Sequence, residues 1–301
     1  MTHADDLRRL PTAAQVLTPL WRREVAELRS WEVRVRDQRP DAVHHLRVAT
    51  RRLRSALSGF EPLLEGRPTL ALNRELRQVA AVLGGGRDVQ AVGVQVGALL
   101  GEERDALARR LHTSLAGLID EADVESWKYT LEQLNRPWYD AFIRSLEHFA
   151  DMPPWLPAAD QAAEEVLRPL LADEWSRFRR SVERTMESAP ADVELRLHQA
   201  RKASKRARYV AESLVVVFGR KATRLAKSAE QVQQTLGDYR DLALAQGFLA
   251  DARHRLSLDA GEALLLTRIE DEQVRALEAQ RAVGELALLE VNRKKLRAWL
   301  R

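Results

Sequence analysis

Apolar residues recur three and four positions apart along most of this 301-residue chain, and alternating runs of β-branched residues are missing. The spacing predicts a helix over residues 12 to 38, with Val16, Leu20, Val25 and Leu28 on one face. Further helices are predicted over 42 to 60, 69 to 83, 87 to 100, 102 to 120, 124 to 134 and 137 to 150. Pro40-Asp41 is read as ending the first helix and capping the second, and Gly84-Gly85-Gly86 as stopping the helix that precedes it. Pro153-Pro154-Trp155-Leu156-Pro157 excludes helix and supplies a linker. It separates two stretches, 1–152 and 158–301, each expected to form a helical bundle and the two together one domain.

The second stretch replays the first. Val43-His-His-Leu-Arg-Val-Ala-Thr-Arg-Arg-Leu-Arg54 aligns without a gap on Leu197-His-Gln-Ala-Arg-Lys-Ala-Ser-Lys-Arg-Ala-Arg208, with five of twelve positions identical. Trp21 and Trp175 precede His44 and His198 by the same 23 residues. Further on, Gln78 to Asp88 aligns on Gln231 to Asp241, both closing on Leu-Gly-x-x-Arg-Asp. The self-similarity covers roughly 12 to 100 and 166 to 253, and implies two related bundles. Residues 102 to 150 and 258 to 300 complete them, with Gly261 and Gly284 marking where the last helical stretch could break.

At 100° per residue, His44, Arg47, Arg51 and Arg54 share a narrow sector of their helix, while Leu46, Ala49, Leu53, Ala56, Leu57 and Phe60 take the other side. His198, Arg201, Lys205 and Arg208 repeat the cationic row against Ala200, Ala203, Ala207, Val210 and Leu214. Like charges one turn apart destabilise a helix by a few tenths of a kcal/mol per pair. Neither row holds an acidic residue, so the row is either solvated, paired with Asp and Glu of neighbouring helices, or neutralised by a polyanion, and its recurrence at one register in both halves favours the polyanion.

Composition narrows the field. The net charge is only +4, from 48 Lys and Arg against 44 Asp and Glu, so the basicity is local. Cysteine is absent, which excludes disulfides and thiolate chemistry. No basic leader and no apolar run of membrane-spanning length occurs, and a cytoplasmic protein is expected.

With these residues in view, the chain resembles the CHAD family, the conserved histidine α-helical domain. The resemblance rests on the duplicated His-x-x-Arg-x-x-x-[Arg/Lys]-Arg-x-Arg helix and on the basic helix ending Leu-Gly-x-x-Arg-Asp. It implies an all-α fold of two four-helix-type bundles about a pseudo-two-fold axis. It also implies that inorganic polyphosphate binds in a basic groove or pore between them, often on polyphosphate granules. Carried onto this chain, the cationic positions are His44, Arg47, Arg51, Arg52 and Arg54, with His198, Arg201, Lys205, Arg206 and Arg208. Arg74, Lys227, Arg87, Arg240 and Lys202 are expected to add contacts. The stripe geometry agrees, since residues three and four apart recur about every 5.4 Å, and the arginine fork takes phosphate oxygens in pairs.

Gly84 and Gly237 are read as helix C-caps, with Asp88 and Asp241 favoured by the start of the next helix. His44 and His198 are read as phosphate donors that bind better when protonated. His45, replaced by Gln199 in the second copy, is read as structural. The seven tryptophans are read as packing anchors, and the C-terminal Arg293 to Arg301 run, with five basic and no acidic residues, as an aid to holding a polyanion.

No metal site is expected, because the positions one turn from each histidine are Arg47 and Val48, or Arg201 and Lys202. No cofactor and no catalytic activity are expected either. The stripes carry no carboxylate cluster, and no Gly-x-x-x-x-Gly-Lys-[Ser/Thr] loop occurs. The alternatives are a nucleic-acid binder using the same surface, or an accessory subunit of a polyphosphate-metabolising enzyme. Base stacking would need aromatics among the cations, and Tyr209 is the only one near them.

Overall fold

The computed structural model describes residues 10–39, 41–100, 105–189, 192–291 and 294–300, leaving aside the side chains of residues 87, 100 and 290. Among them no strand forms, and the chain is built from helices α1 (Ala13–Arg36), α2 (Ala42–Gly59), α3 (Gly66–Val82), α4 (Gly84–Leu100), α5 (Ala106–Leu134) and α6 (Pro137–Asp151). After the linker come α7 (Ala163–Met186), α8 (Val193–Ser213), the single turn α9 (Val215–Phe218), α10 (Arg220–Arg255), α11 (Ala260–Glu290) and the short α12 (Lys294–Arg297). The all-α reading holds.

Local chemistry explains several of the boundaries. Thr12 and Gln15 form a reciprocal capping box at the start of α1, with bonds of 3.2 and 3.0 Å. Asp259 and Glu262 do the same for α11, and Arg110 of α5 binds both carboxylates, at 3.0 and 3.2 Å. At the linker, the Leu156 N–H donates to the Leu63 carbonyl and the Glu65 N–H to that of Pro154. The proline segment is thereby sewn to the first half.

Four expectations need correction. Residues 106–134 form one helix rather than two, and α11 runs through both Gly261 and Gly284 without a break. At Gly284 a Cβ would meet a Leu236 methyl at 3.0 Å, so the glycine serves close packing on α10. Gly237 lies in the interior of α10 and is no C-cap, and Asp241 is nowhere near a helix start; Gly84 does follow Leu83, the C-cap of α3, but it opens α4 without the left-handed conformation of a glycine cap. Asp41 occupies the N-cap of α2 in a left-handed conformation, and its side chain makes no capping bond.

One core runs through both halves. Trp21 on α1 meets Phe60 and Phe149 edge-on, at 6.5 and 5.3 Å, and Trp175 on α7 meets Phe178 at 5.4 Å. Both tryptophans are fully buried in the same cluster as residues of α2, α3, α6, α8 and α10. A second cluster gathers Val92 and Val96 of α4, Leu111 and Leu115 of α5, Leu249 of α10 and Leu266 of α11. Long helices from the two halves thus pair away from the main core.

Where α2 meets α8, the helices approach closely. A Cβ on Gly59 would lie 2.5 Å from Val210 Cγ2, so only glycine allows this contact. It draws the two cationic helices together.

Candidate anion-binding groove

The apolar faces of α2 and α8 are consumed by the core, so their cationic faces turn the other way, and the contact between the helices makes them share one hollow. Two contiguous spaces, about 420 and 360 Å³, share Arg47, Arg51, Arg201, Lys205 and Arg240 in their linings. The first adds His44 and His45 from the start of α2 and Arg52 from past its midpoint, and Arg208 and Tyr209 from the later part of α8. The second adds Arg54 and Ser58 from later in α2, His198 and Lys202 from the first half of α8, and Arg206 from past its midpoint. Together they form one groove floored by α10.

Five basic side chains meet at its centre, near the carboxylates of Asp88 and Asp241. Asp88 of α4 binds Arg240 at 2.9 Å and stands 3.9 Å from Arg47, whose guanidinium also donates to the Gly84 carbonyl at 2.9 Å. Asp241 also lines the groove. Arg201 lies along the α10 backbone, its guanidinium 3.5 Å from where a Cβ of Gly237 would be. The missing side chain, read from sequence as a cap, is a bed for this arginine.

Among the described residues Arg51, Arg201 and Lys205 have no ion-pair partner, and Arg201 Nε is buried without a hydrogen bond. The crowding shows in their protonation. Burial, followed by Arg51, Arg201, Arg47 and Arg240, pushes the Lys205 ammonium down to about 5. Burial and Arg240 bring Arg201 down to about 10, with Asp241 opposing. His198 is held below the usual histidine value by burial, then by Lys202, Arg240, Arg201 and Lys205. An anion would raise all three, and would return a proton to Lys205 and His198, whereas Arg201 keeps its own at neutral pH.

Some candidates are already neutralised. Arg206 is turned to the buried Glu174 on α7 at 2.6 Å, and Arg208 binds Glu212 at 2.7 Å and Glu230 at 2.9 Å. Arg52 reaches Glu212 at 3.5 Å. Arg206 is therefore foremost a packing residue that borders the groove.

Two candidates fall outside. Arg74 is exposed on α3 and lines neither space, and Lys227 belongs to a separate hollow with Lys221, Arg224, Lys295 and Trp299. The sequence match places these two at aligned positions but not on the groove side of their helices. Arg87's side chain lies outside the described residues, as does Arg293 of the C-terminal run.

The groove also recruits residues that sequence reasoning set aside. His45 lines the wall, stacked on Trp31 at 4.1 Å and edge-on to His44 at 5.5 Å, while Arg34 covers the Trp31 ring at 4.2 Å. Arg77, one turn from Arg74, is close enough to Arg54 to depress its pKa, after burial and ahead of Arg51. The i+3 spacing from Arg74 was the available signal. Tyr209 is almost fully buried, with Arg52 and Arg208 over its ring at 5.6 and 5.5 Å, so it offers no face for a base.

An all-helical chain folded around a cation-lined groove is the class of protein that these features define. Residues 19–250 match the CHAD domain family, and the chain belongs to it. Two curated proteins of Mycobacterium tuberculosis, from strains CDC 1551 and H37Rv and both described as uncharacterized, are 26% identical over 239 residues, 75% of this chain. This chain spans only 43% of their length. Among solved structures it resembles PptA from Streptomyces chartreusis (TM-score 0.75, 22% identity, 92% of this chain and 99% of that one). It also resembles the CHAD domain from the plant Ricinus communis (TM-score 0.71, 20% identity, 97% and 92%). At these identities the likeness is one of fold.

Proposed function

We propose that this chain binds inorganic polyphosphate in the groove between α2 and α8 and holds it without turning it over. The observation that carries the reading is the convergence of Arg47, Arg51, Arg201, Lys205 and Arg240, from three helices and both halves, on a space whose described lining holds one carboxylate, Asp241. A linear anion with about one charge per phosphate supplies what that space lacks. Charge-assisted bonds from arginine to phosphate stabilise by roughly 1.5–3 kcal/mol each, so a few of them outweigh the cost of ordering the ligand.

A nucleic acid is the weaker reading, because Tyr209 is buried beneath two guanidinium groups and the Trp31 ring is already covered by His45 and Arg34. Among the described residues no helix is long and apolar enough to cross a membrane. Recruitment to polyphosphate granules would follow from the same contact and belongs to this proposal, as does residence in the cytoplasm.

Competition among long polyphosphate, tripolyphosphate and single-stranded DNA at one ionic strength tests it. Long polyphosphate is expected to win. The double variant Arg51→Ala, Lys205→Ala is expected to abolish the binding with helicity unchanged by circular dichroism. Preference for DNA, or unaltered affinity in the variant, would overturn the assignment. Binding should also weaken linearly in log salt, as for phosphate polymers generally.

A further inference from the structure

The two ends of the groove are bordered by aligned positions that differ in charge. At one end stand Arg54, with its Nε buried and unbonded, and the exposed Lys202; Arg77 lies just beyond. None of the three has an ion-pair partner among the described residues. At the other end Arg208 occupies the position aligned with Arg54, Val48 that of Lys202, Glu212 that of Ser58 and Glu230 that of Arg77. There Glu212 and Glu230 close on Arg208 at 2.7 and 2.9 Å.

The aligned arginines respond in opposite directions. Arg54 is pushed below its ordinary value by burial, Arg77 and Arg51, whereas Arg208 is raised, its burial outweighed by the hydrogen bond and charge of Glu212 and the charge of Glu230. One end repels further cations and attracts phosphate. The other is a closed ion-pair cluster, where an arriving phosphate would have to displace two carboxylates and would meet their charge.

We propose that a polyphosphate chain longer than the groove runs out past Arg54 and Lys202 toward Arg77, and not past Arg208, so that the site holds long chains by one overhanging end. The inference rests on the polyphosphate reading and adds a direction to it. Chain-length preference is then set by residues outside the central five.

Two variant pairs test this by titration calorimetry with tripolyphosphate and with long polyphosphate. Both change exposed or half-buried side chains, and circular dichroism checks that each folds. Lys202→Gln with Arg77→Gln is expected to weaken long-chain binding about tenfold more than it weakens tripolyphosphate binding, as loss of roughly one charge-assisted contact to the overhanging end implies. Glu212→Gln with Glu230→Gln is expected to tighten long-chain binding by opening the second end. An equal loss for both ligands in the first pair, or no loss for either, would overturn the direction while polyphosphate binding stands. If the native chain binds neither ligand, both proposals fall together.

Discussion

Arg240 of α10 donates to Asp88 of α4 across 2.9 Å, and this bond joins the two halves of the chain at the floor of the groove. The same carboxylate stands 3.9 Å from Arg47. Asp88 thus positions two of the five central cations and offsets part of their repulsion, in a place where a phosphate would do both.

Asp88→Asn should therefore separate stability from affinity. Removing the carboxylate leaves the half-buried Arg47 and Arg240 closer to uncompensated, which costs on the order of 1–3 kcal/mol of folding stability. It also removes an internal competitor of the ligand. A lower melting temperature without ligand and tighter polyphosphate binding are expected, from calorimetric melting and titration; a weaker complex would show that placement outweighs competition.

Lys205 should act in the opposite sense. Its folded pKa of about 5 lies below the unfolded value near 10.5, so the unfolded chain carries the extra proton between those limits. Stability contributed by this group accordingly rises with pH from about 5 to 10, and the cost of confining the ammonium is fully present below 5. Lys205→Met is expected to stabilise the free protein at neutral pH by about 1–3 kcal/mol, to flatten this pH dependence, and to weaken polyphosphate binding.

Binding itself should take up protons. Lys205 and His198 are both depressed in the free groove, and a polyanion raises both. Affinity is expected to increase as pH falls from 8 to 6, with proton uptake visible as a buffer-dependent binding enthalpy. An affinity and enthalpy indifferent to pH and buffer would take both groups off the contact list.

The two helical glycines near the site should differ sharply. Gly59→Ala places a methyl 2.5 Å from the stiff Val210 side chain and should cost about 1–3 kcal/mol by forcing α2 off α8. Gly237→Ala meets only the Arg201 guanidinium at 3.5 Å, ordinary contact, and gains helix propensity of up to about 1 kcal/mol. Urea denaturation of the two variants checks the contrast.

Much of this was legible before any coordinates. The 3.6-residue apolar period predicted helices throughout, because burial of one face is what makes a helix of this length stable, and the duplicated His-x-x-Arg rows marked α2 and α8 as cationic on the other face. Identical residue types at aligned positions could not say which of them face a carboxylate. Arg206 and Arg208 read like Arg52 and Arg54, yet Glu174, Glu212 and Glu230 come from elsewhere in the fold or from beyond the motif. Gly237 looked like a stop because glycine disfavours helix, whereas packing on both sides of α10 carries the helix through it.

Sequence alone thus determined that this chain is helical, duplicated in pattern and cationic along two helix faces, since periodicity and residue type are local properties. Only the tertiary structure decided that those faces share one groove, that Lys227 and Arg74 stand outside it, and that its two ends differ in charge. Ion pairing and burial depend on side chains brought together from distant parts of the chain, and pairwise electrostatics at a few ångströms is set by that meeting and by nothing earlier.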